Sequence, residues 1–288
     1  MKMIKPIVNV SKIIDNFDAV VVGLYGVLTD GAGIKSEAQD ALIRMKKAGK
    51  KIILLTNSSM RVAALVSWLH ENKVPVALFD SVISAGEILH HRLKVRNGEY
   101  AAVGTAYYKI GDAAATGIFS GLDYQPAEEM PKADFLYMGG VADAEDTIDT
   151  YRPLLEHAAG LGIPLVCAGN DTSSYCAGKV CVAPGAVAEQ YAVLGGKIIT
   201  VGKPDAKIME YALADFEDVK KERILLIGDN MTTDIKGANL YGISSLLISK
   251  GVHVNFLGEG YIPDVAKTRE LAVNFDTYPD FVISNLRW

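Results

Sequence analysis

The chain has 288 residues, half of them apolar, and 29 Lys and Arg against 34 Asp and Glu give it a formal charge of -5. That length and apolar share support a large buried core, either one domain carrying an insertion or two of unequal size. The acidic balance, with no basic cluster or aromatic–basic interleaving, excludes nucleic acid as a partner, and no unbroken apolar run of about 18 residues suggests a membrane span, so a soluble cytoplasmic protein is expected.

Apolar runs alternate with helical patterns along the chain. Asp18 to Leu24 predicts a buried strand, followed by a helix over Ser36 to Ala48, a strand over Lys51 to Leu55 and a helix over Met60 to Glu71. Strand patterns recur at Glu99 to Val103, Phe135 to Met138, Pro164 to Cys167 and Lys197 to Thr200, with helices over Thr147 to Ala159 and Ala186 to Leu194. A helix over Ile208 to Phe216, a strand over Arg223 to Ile227, a helix over Thr233 to Leu240 and a strand over Ser244 to Ile248 complete the series. This alternation predicts an α/β fold: a Rossmann-like three-layer core whose mostly parallel sheet is covered on both faces. The middle series predicts a second α/β unit inserted into the first. Gly139-Gly140, Gly195-Gly196 and Gln125 to Pro131 read as loops, and Phe281 to Trp288 as a covering edge. Cys167, Cys176 and Cys181 have spacings that match no usual zinc pattern, which favours a structural role over a disulfide or a metal site.

Four short stretches fall at equivalent places in this alternation: Gly23 to Leu28, Thr56-Asn57-Ser58-Ser59, Val201-Gly202-Lys203-Pro204, and Gly228-Asp229-Asn230-Met231-Thr232-Thr233-Asp234. In an open parallel sheet the carboxyl ends of the strands form the ligand crevice, so one set of loops can bring all four together. Asp229 can offer a hard oxygen to Mg²⁺, and Asp234 can bind the ion through water or orient the loop. The Thr56 hydroxyl and the N–H groups of Asn57 and Ser58 can receive phosphate oxygens at a helix start, with Lys203 opposite them. Singly, each has an ordinary alternative: helix caps for Asp229 and Asp234, a strand-end residue for Thr56, a solvated turn for Lys203. Their conjunction in order is what points to phosphate chemistry.

With these four stretches the chain resembles the haloacid-dehalogenase superfamily, in particular its class IIA capped phosphatases of the kind that act on N-acetylglucosamine phosphate, pyridoxal phosphate or nucleotides. Cys167-Ala168-Gly169-Asn170-Asp171 is similar to a further family stretch, with altered spacing. The resemblance implies a core of residues 1–84 plus 196–288 and a cap of residues 85–195 that closes over the crevice, with Asn170, Asp171 and Thr172 as cap contacts to substrate. It also implies a magnesium cofactor held by Asp229, Asp234 and the backbone carbonyl of Tyr25, and a homodimer formed through the cap.

The departure from the family pattern lies at the first stretch. Where the resemblance implies Asp-x-Asp-Gly, the chain reads Gly23-Leu24-Tyr25-Gly26. Gly23 stands at the nucleophile position and Tyr25 at the acid–base position, with Lys203 as the remaining catalytic residue. Glycine cannot attack phosphorus, and it removes a metal ligand, so magnesium affinity is expected to fall. A phenol whose free pKa is about 10 is a poor base at neutral pH. The expectation is a phosphatase-like protein that binds a phosphorylated small molecule or inorganic anion and has lost ordinary turnover, or most of it. The alternatives are an active magnesium-dependent phosphohydrolase with unconventional chemistry, for instance through Asp30, and a dehalogenase, epimerase-like or structural role.

Overall fold

The computed structural model describes residues 3–111, 117–216 and 218–288. Its elements follow in order: β1 (Lys5–Pro6), β2 (Ala19–Val22), α1 (Ser36–Lys47), β3 (Lys51–Thr56), α2 (Val62–Glu71), β4 (Ser81–Ser84) and α3 (Ala85–Val95). Then come β5 (Ala106–Ile110), β6 (Gln125–Pro126), β7 (Phe135–Met138), α4 (Ile148–Leu161), β8 (Leu165–Ala168), β9 (Ser173–Cys176), β10 (Lys179–Val182), α5 (Pro184–Val193) and β11 (Ile198–Val201). The last are α6 (Ala206–Leu213), β12 (Ile224–Gly228), α7 (Lys236–Tyr241), β13 (Ser244–Ile248), α8 (Val254–Leu257), α9 (Val265–Asn274) and β14 (Phe281–Ile283).

The larger sheet has seven parallel strands in the order β1-β14-β13-β12-β2-β3-β4, and the smaller has five in the order β11-β8-β7-β5-β6. Its strands also run parallel. The continuous apolar runs of the central strands follow from burial on both faces. Val20, Val22, Ile52, Leu54, Leu225 and Ile227 pack on one side against Leu42 and Met45 of α1 and Leu65 and Leu69 of α2. Ala19, Val21, Ile53, Leu55 and Leu226 pack on the other against Ile208, Met209 and Ala212 of α6. The smaller sheet is sandwiched in the same way, with Leu155 of α4 and Tyr191 of α5 on one face and Leu89 and Leu93 of α3 on the other. Helix α3 therefore serves both units, since Ile88 belongs to the core of the larger one. The predicted mixed α/β architecture, with a parallel sheet covered on both faces and a second α/β unit, is the one observed.

Four local expectations are corrected. Residues Gly98–Ala102 form a 3₁₀ helix rather than the strand predicted over Glu99 to Val103, and the strand lies downstream at β5. Gly98 opens the segment at a φ of 56°, and Tyr100 and Val103, three residues apart, are the buried pair, a helical spacing that resembled strand alternation. The predicted covering edge begins instead with β14, which lies between β13 and β1. The Gln125 to Pro131 loop contributes β6. The helix predicted from Thr233 starts as a π-helical turn over Met231–Ile235, which carries Asp234 back toward the end of β12.

Candidate functional site

A cavity of about 380 Å³ lies where β2, β3 and β12 end, lined by Tyr25, Thr56, Asn57, Ser58, Asp171, Lys203, Asp229 and Asp234 among others. Residues from all four sequence stretches thus meet at one place. Gly23 sits at the base of this arrangement, where its N–H donates to the Ile227 carbonyl at 2.8 Å.

Lys203 and Asp234 form its buried centre. Lys203 is 5% exposed and Asp234 3%, and the Lys203 ammonium lies 2.6 Å from Asp234 Oδ1. Burial pulls the lysine pKa down, but the Asp234, Asp171 and Asp229 carboxylates outweigh it and hold the group charged. Asp234 Oδ2 accepts the N–H groups of Asp229 and Asn230, both at 3.1 Å, so both of its oxygens are committed. Asn57 holds the lysine main chain from two sides: its Oδ1 accepts the Lys203 N–H at 2.7 Å and its Nδ2 donates to the Lys203 carbonyl at 3.2 Å. Asn170 Nδ2 adds bonds to the Gly202 and Lys203 carbonyls at 3.0 and 3.1 Å. The side chains of Asn57 and Asn170 therefore fix Lys203.

Asp229 accepts the Val252 N–H on Oδ2 at 2.9 Å. Its carboxyl is pushed up to about 7 by burial and then by the neighbouring Asp234 charge. It packs directly on Gly26, where a Cβ would fall 1.9 Å from Asp229 Oδ2 and where φ is +76°, so this turn requires glycine twice over. Thr56 Oγ1 accepts the Ser58 N–H at 3.1 Å. The Tyr25 phenol is raised above its usual range by burial and by the nearby Cys176, which makes it a still weaker base. Of the expected cap contacts, Asp171 lines the cavity, and its Oδ1 accepts from Asn230 Nδ2 at 3.1 Å and from Thr233 Oγ1 at 2.5 Å. Thr172 is not part of the lining and accepts the Ala183 N–H on its carbonyl. Asp30 Oδ1 accepts the Ala32 N–H within its own turn, at 3.0 Å, so its carboxylate is used locally.

The protein donors for a magnesium ion are few. Asp234 has both oxygens engaged and Gly23 has no side chain, so Asp229 and the Tyr25 carbonyl are the residues that would hold the ion, with its remaining oxygens supplied by water and phosphate. Among the described residues no three His, Cys, Asp or Glu side chains converge as a metal site would need.

Sequence reasoning did not anticipate the hairpin β9–β10 or Lys35. The hairpin brings Tyr175 and Cys176 into the cavity wall, and it docks on the loop after β2 through a bond from the Ala177 N–H to the Asp30 carbonyl at 2.6 Å. Lys35 donates to the Gly26 carbonyl at 2.8 Å and stands 5.7 Å from the centre of the Tyr175 ring. No local pattern marks either, because the hairpin reaches the cavity wall, and Lys35 its place beside Tyr175, through tertiary packing. All three cysteines are free thiols. Among the described residues no helix is long and apolar enough to cross a membrane.

Known proteins resemble this chain in sequence and fold. A haloacid dehalogenase-like hydrolase from Brucella suis is 30% identical, superposes with a TM-score of 0.80, and shares 96% of this chain and 98% of its own. Glycerol-3-phosphate phosphatase of Gallus gallus is 26% identical over 268 residues, covering 83% of this chain and 82% of that protein. A glycerol phosphate phosphatase from Mycobacterium tuberculosis, crystallised with magnesium, is similar in fold at 21% identity and a TM-score of 0.59, over 83% of this chain and 70% of that one. A HAD-hydrolase-like family model matches residues 200–287. With the haloacid dehalogenase-like hydrolase model matching residues 17–242, across both the strand ends and the inserted unit, the chain belongs to that family.

Proposed function

We propose that this protein binds a small phosphorylated molecule at the cavity between its two units and has lost ordinary phosphatase turnover, or retains little of it. The observation that carries the reading is the convergence of Thr56, Ser58, Lys203 and Asp229 on a 380 Å³ cavity whose adjoining strand end bears Gly23 and Tyr25 in place of carboxylates. Lys203 supplies a fixed positive charge and the Thr56 hydroxyl a polar contact for phosphate oxygens. A nucleophile within attack distance is what the arrangement lacks, since Gly23 has no side chain and Asp30 is bound into its own turn. The phosphatase activities in the names of the relatives support a phosphate monoester as the ligand class. A divalent ion entering here would be held weakly, by Asp229 and the Tyr25 carbonyl.

In this reading residues 1–84 and 196–288 form the core and residues 85–195 the class IIA cap, whose sheet continues through Val201. The hairpin carrying Tyr175 and Cys176 supplies the wall that meets the part of the ligand beyond phosphate. The test is phosphate release from a panel of phosphorylated metabolites with magnesium, run beside Asp229→Ala, together with calorimetric binding of the same esters. Binding without release above the variant is expected. Release that the Asp229→Ala substitution abolishes would instead establish an active hydrolase with an unconventional nucleophile.

A further inference from the structure

Charge is distributed unevenly around the cavity. Among the described lining residues Lys203 is the one cation, and its ammonium is held at the strand ends by Asp234 Oδ1 at 2.6 Å and the Leu55 carbonyl at 3.4 Å. Of the lining residues between Gly139 and Pro184, on the inserted unit, Asp171 alone has a charged side chain. The rest of that wall includes Val141, Tyr175, Val182 and Pro184, while Ser173 and Ser174 add hydroxyls but no charge. Neighbouring cations are spent elsewhere: Lys179 of the hairpin pairs with Glu145 at 2.8 Å, and Lys35 donates to the Gly26 carbonyl. The Tyr175 phenol is raised by burial and then by the Glu259 and Asp30 carboxylates, so the charges around this wall include two that repel an anion.

We propose that the site selects phosphate monoesters of a small uncharged alcohol with an apolar, ring-sized face, and rejects those that carry a second anionic group. The inference rests on the phosphate-binding reading above and adds the chemistry of the alcohol part. Lys203 is one buried cation, and the phosphate takes it. A carboxylate or second phosphate beside it would leave water for a wall without a positive charge, and desolvating an anion that gains no partner is costly. An apolar group incurs no such cost, since it exchanges water for Val141, Val182, Pro184 and Tyr175. The 380 Å³ volume lies near the lower end of the range for small-molecule sites, about 300–1,000 Å³, and so suits one small group beside the phosphate.

The experiment is isothermal calorimetry on the whole chain in excess magnesium, with phosphonates as probes. Their P–C bond resists hydrolysis, so binding is read whether or not turnover survives. Methylphosphonate is the reference, beside benzylphosphonate for an apolar ring, 3-phosphonopropionate for a second anion and 3,4-dihydroxybutylphosphonate for a neutral polyol. Benzylphosphonate should bind about tenfold more tightly than methylphosphonate, and 3-phosphonopropionate no more tightly than it. In Tyr175→Ala the ratio of benzyl to methyl affinity should fall by about threefold or more. Three results overturn the proposal and leave the phosphate-binding reading standing: 3-phosphonopropionate binding more tightly than methylphosphonate, the polyol matching benzylphosphonate, or an unchanged ratio in Tyr175→Ala. Should that variant fail to fold, the wild-type series decides alone. If neither the four phosphonates nor inorganic phosphate bind, both readings fall.

Discussion

Gly23 leaves room for the side chain it lacks. A Cβ there would lie 3.3 Å from the Ile227 carbonyl oxygen and from Val27 Cγ2, which is tight but within reach of a shift of a few tenths of an ångström. Gly23→Asp is therefore expected to fold and to gain magnesium-dependent release from p-nitrophenyl phosphate of about tenfold or more over wild type, because it restores nucleophile and metal ligand together. No gain in a colorimetric phosphate assay would show that Tyr25 has committed the site elsewhere. Lys203 is a different case. Its burial against Asp234 means that Lys203→Ala leaves a buried charge unpaired, so beyond losing phosphate it should destabilise the fold by about 3–5 kcal/mol in urea unfolding. Asp229 carries the pH dependence. With its carboxyl raised to about 7, the folded chain keeps a proton that the unfolded chain releases from about pH 4 upward. Stability is then greatest on the acid side and is lost as pH rises through that window, by up to about 1.4 kcal/mol per unit. Urea midpoints at pH 5 and pH 7.5 should show the decline in wild type and a flatter response in Asp229→Asn.

At the scale of elements, the strands that carry the chemistry are also the most deeply buried. Leu226 on β12 is 1% exposed, and Leu226→Ala should cost about 2–5 kcal/mol by denaturant unfolding. Burial on both faces is also why these strands could be read from the amino-acid sequence. Val20-Val21-Val22 and Leu225-Leu226-Ile227 are unbroken apolar runs, and the polar residues that follow them mark strand ends, which is how Thr56, Asp229 and Asp234 were picked out. The same logic fails where a strand is half-exposed. β5, Ala106–Ile110, has one fully buried residue, and the hairpin strand Ser173–Cys176 has none, so neither shows a clean alternation. Lys35 and Tyr175 were illegible for a further reason. Tyr175 reaches the cavity wall from a hairpin and Lys35 meets its ring from a loop about 140 residues away, an approach that depends on how the two units dock.

The whole molecule is held together at its two chain crossings and across the cavity. Ser84 ends β4 and its hydroxyl accepts the Glu87 N–H at 3.0 Å to cap α3, so the first crossing has no slack. At the second, Asn57 and Asn170 fasten the Gly202–Lys203 backbone. Asp171 ties the inserted unit to the π-helical turn through Asn230 and Thr233. Asp171→Ala should loosen this contact at a cost of about 1–3 kcal/mol and speed proteolytic cleavage between residues 169 and 185, a change visible by mass spectrometry without loss of the core. The strand order has one more consequence, for synthesis. β2 waits for its neighbour β12 until about 200 more residues have been made, roughly 10–40 s at ordinary ribosomal rates, and β1 waits still longer for its partner β14. Throughout that interval Val20-Val21-Val22 has an unpaired edge, so a nascent chain of this fold is most exposed to aggregation at the same strand that later bears the site.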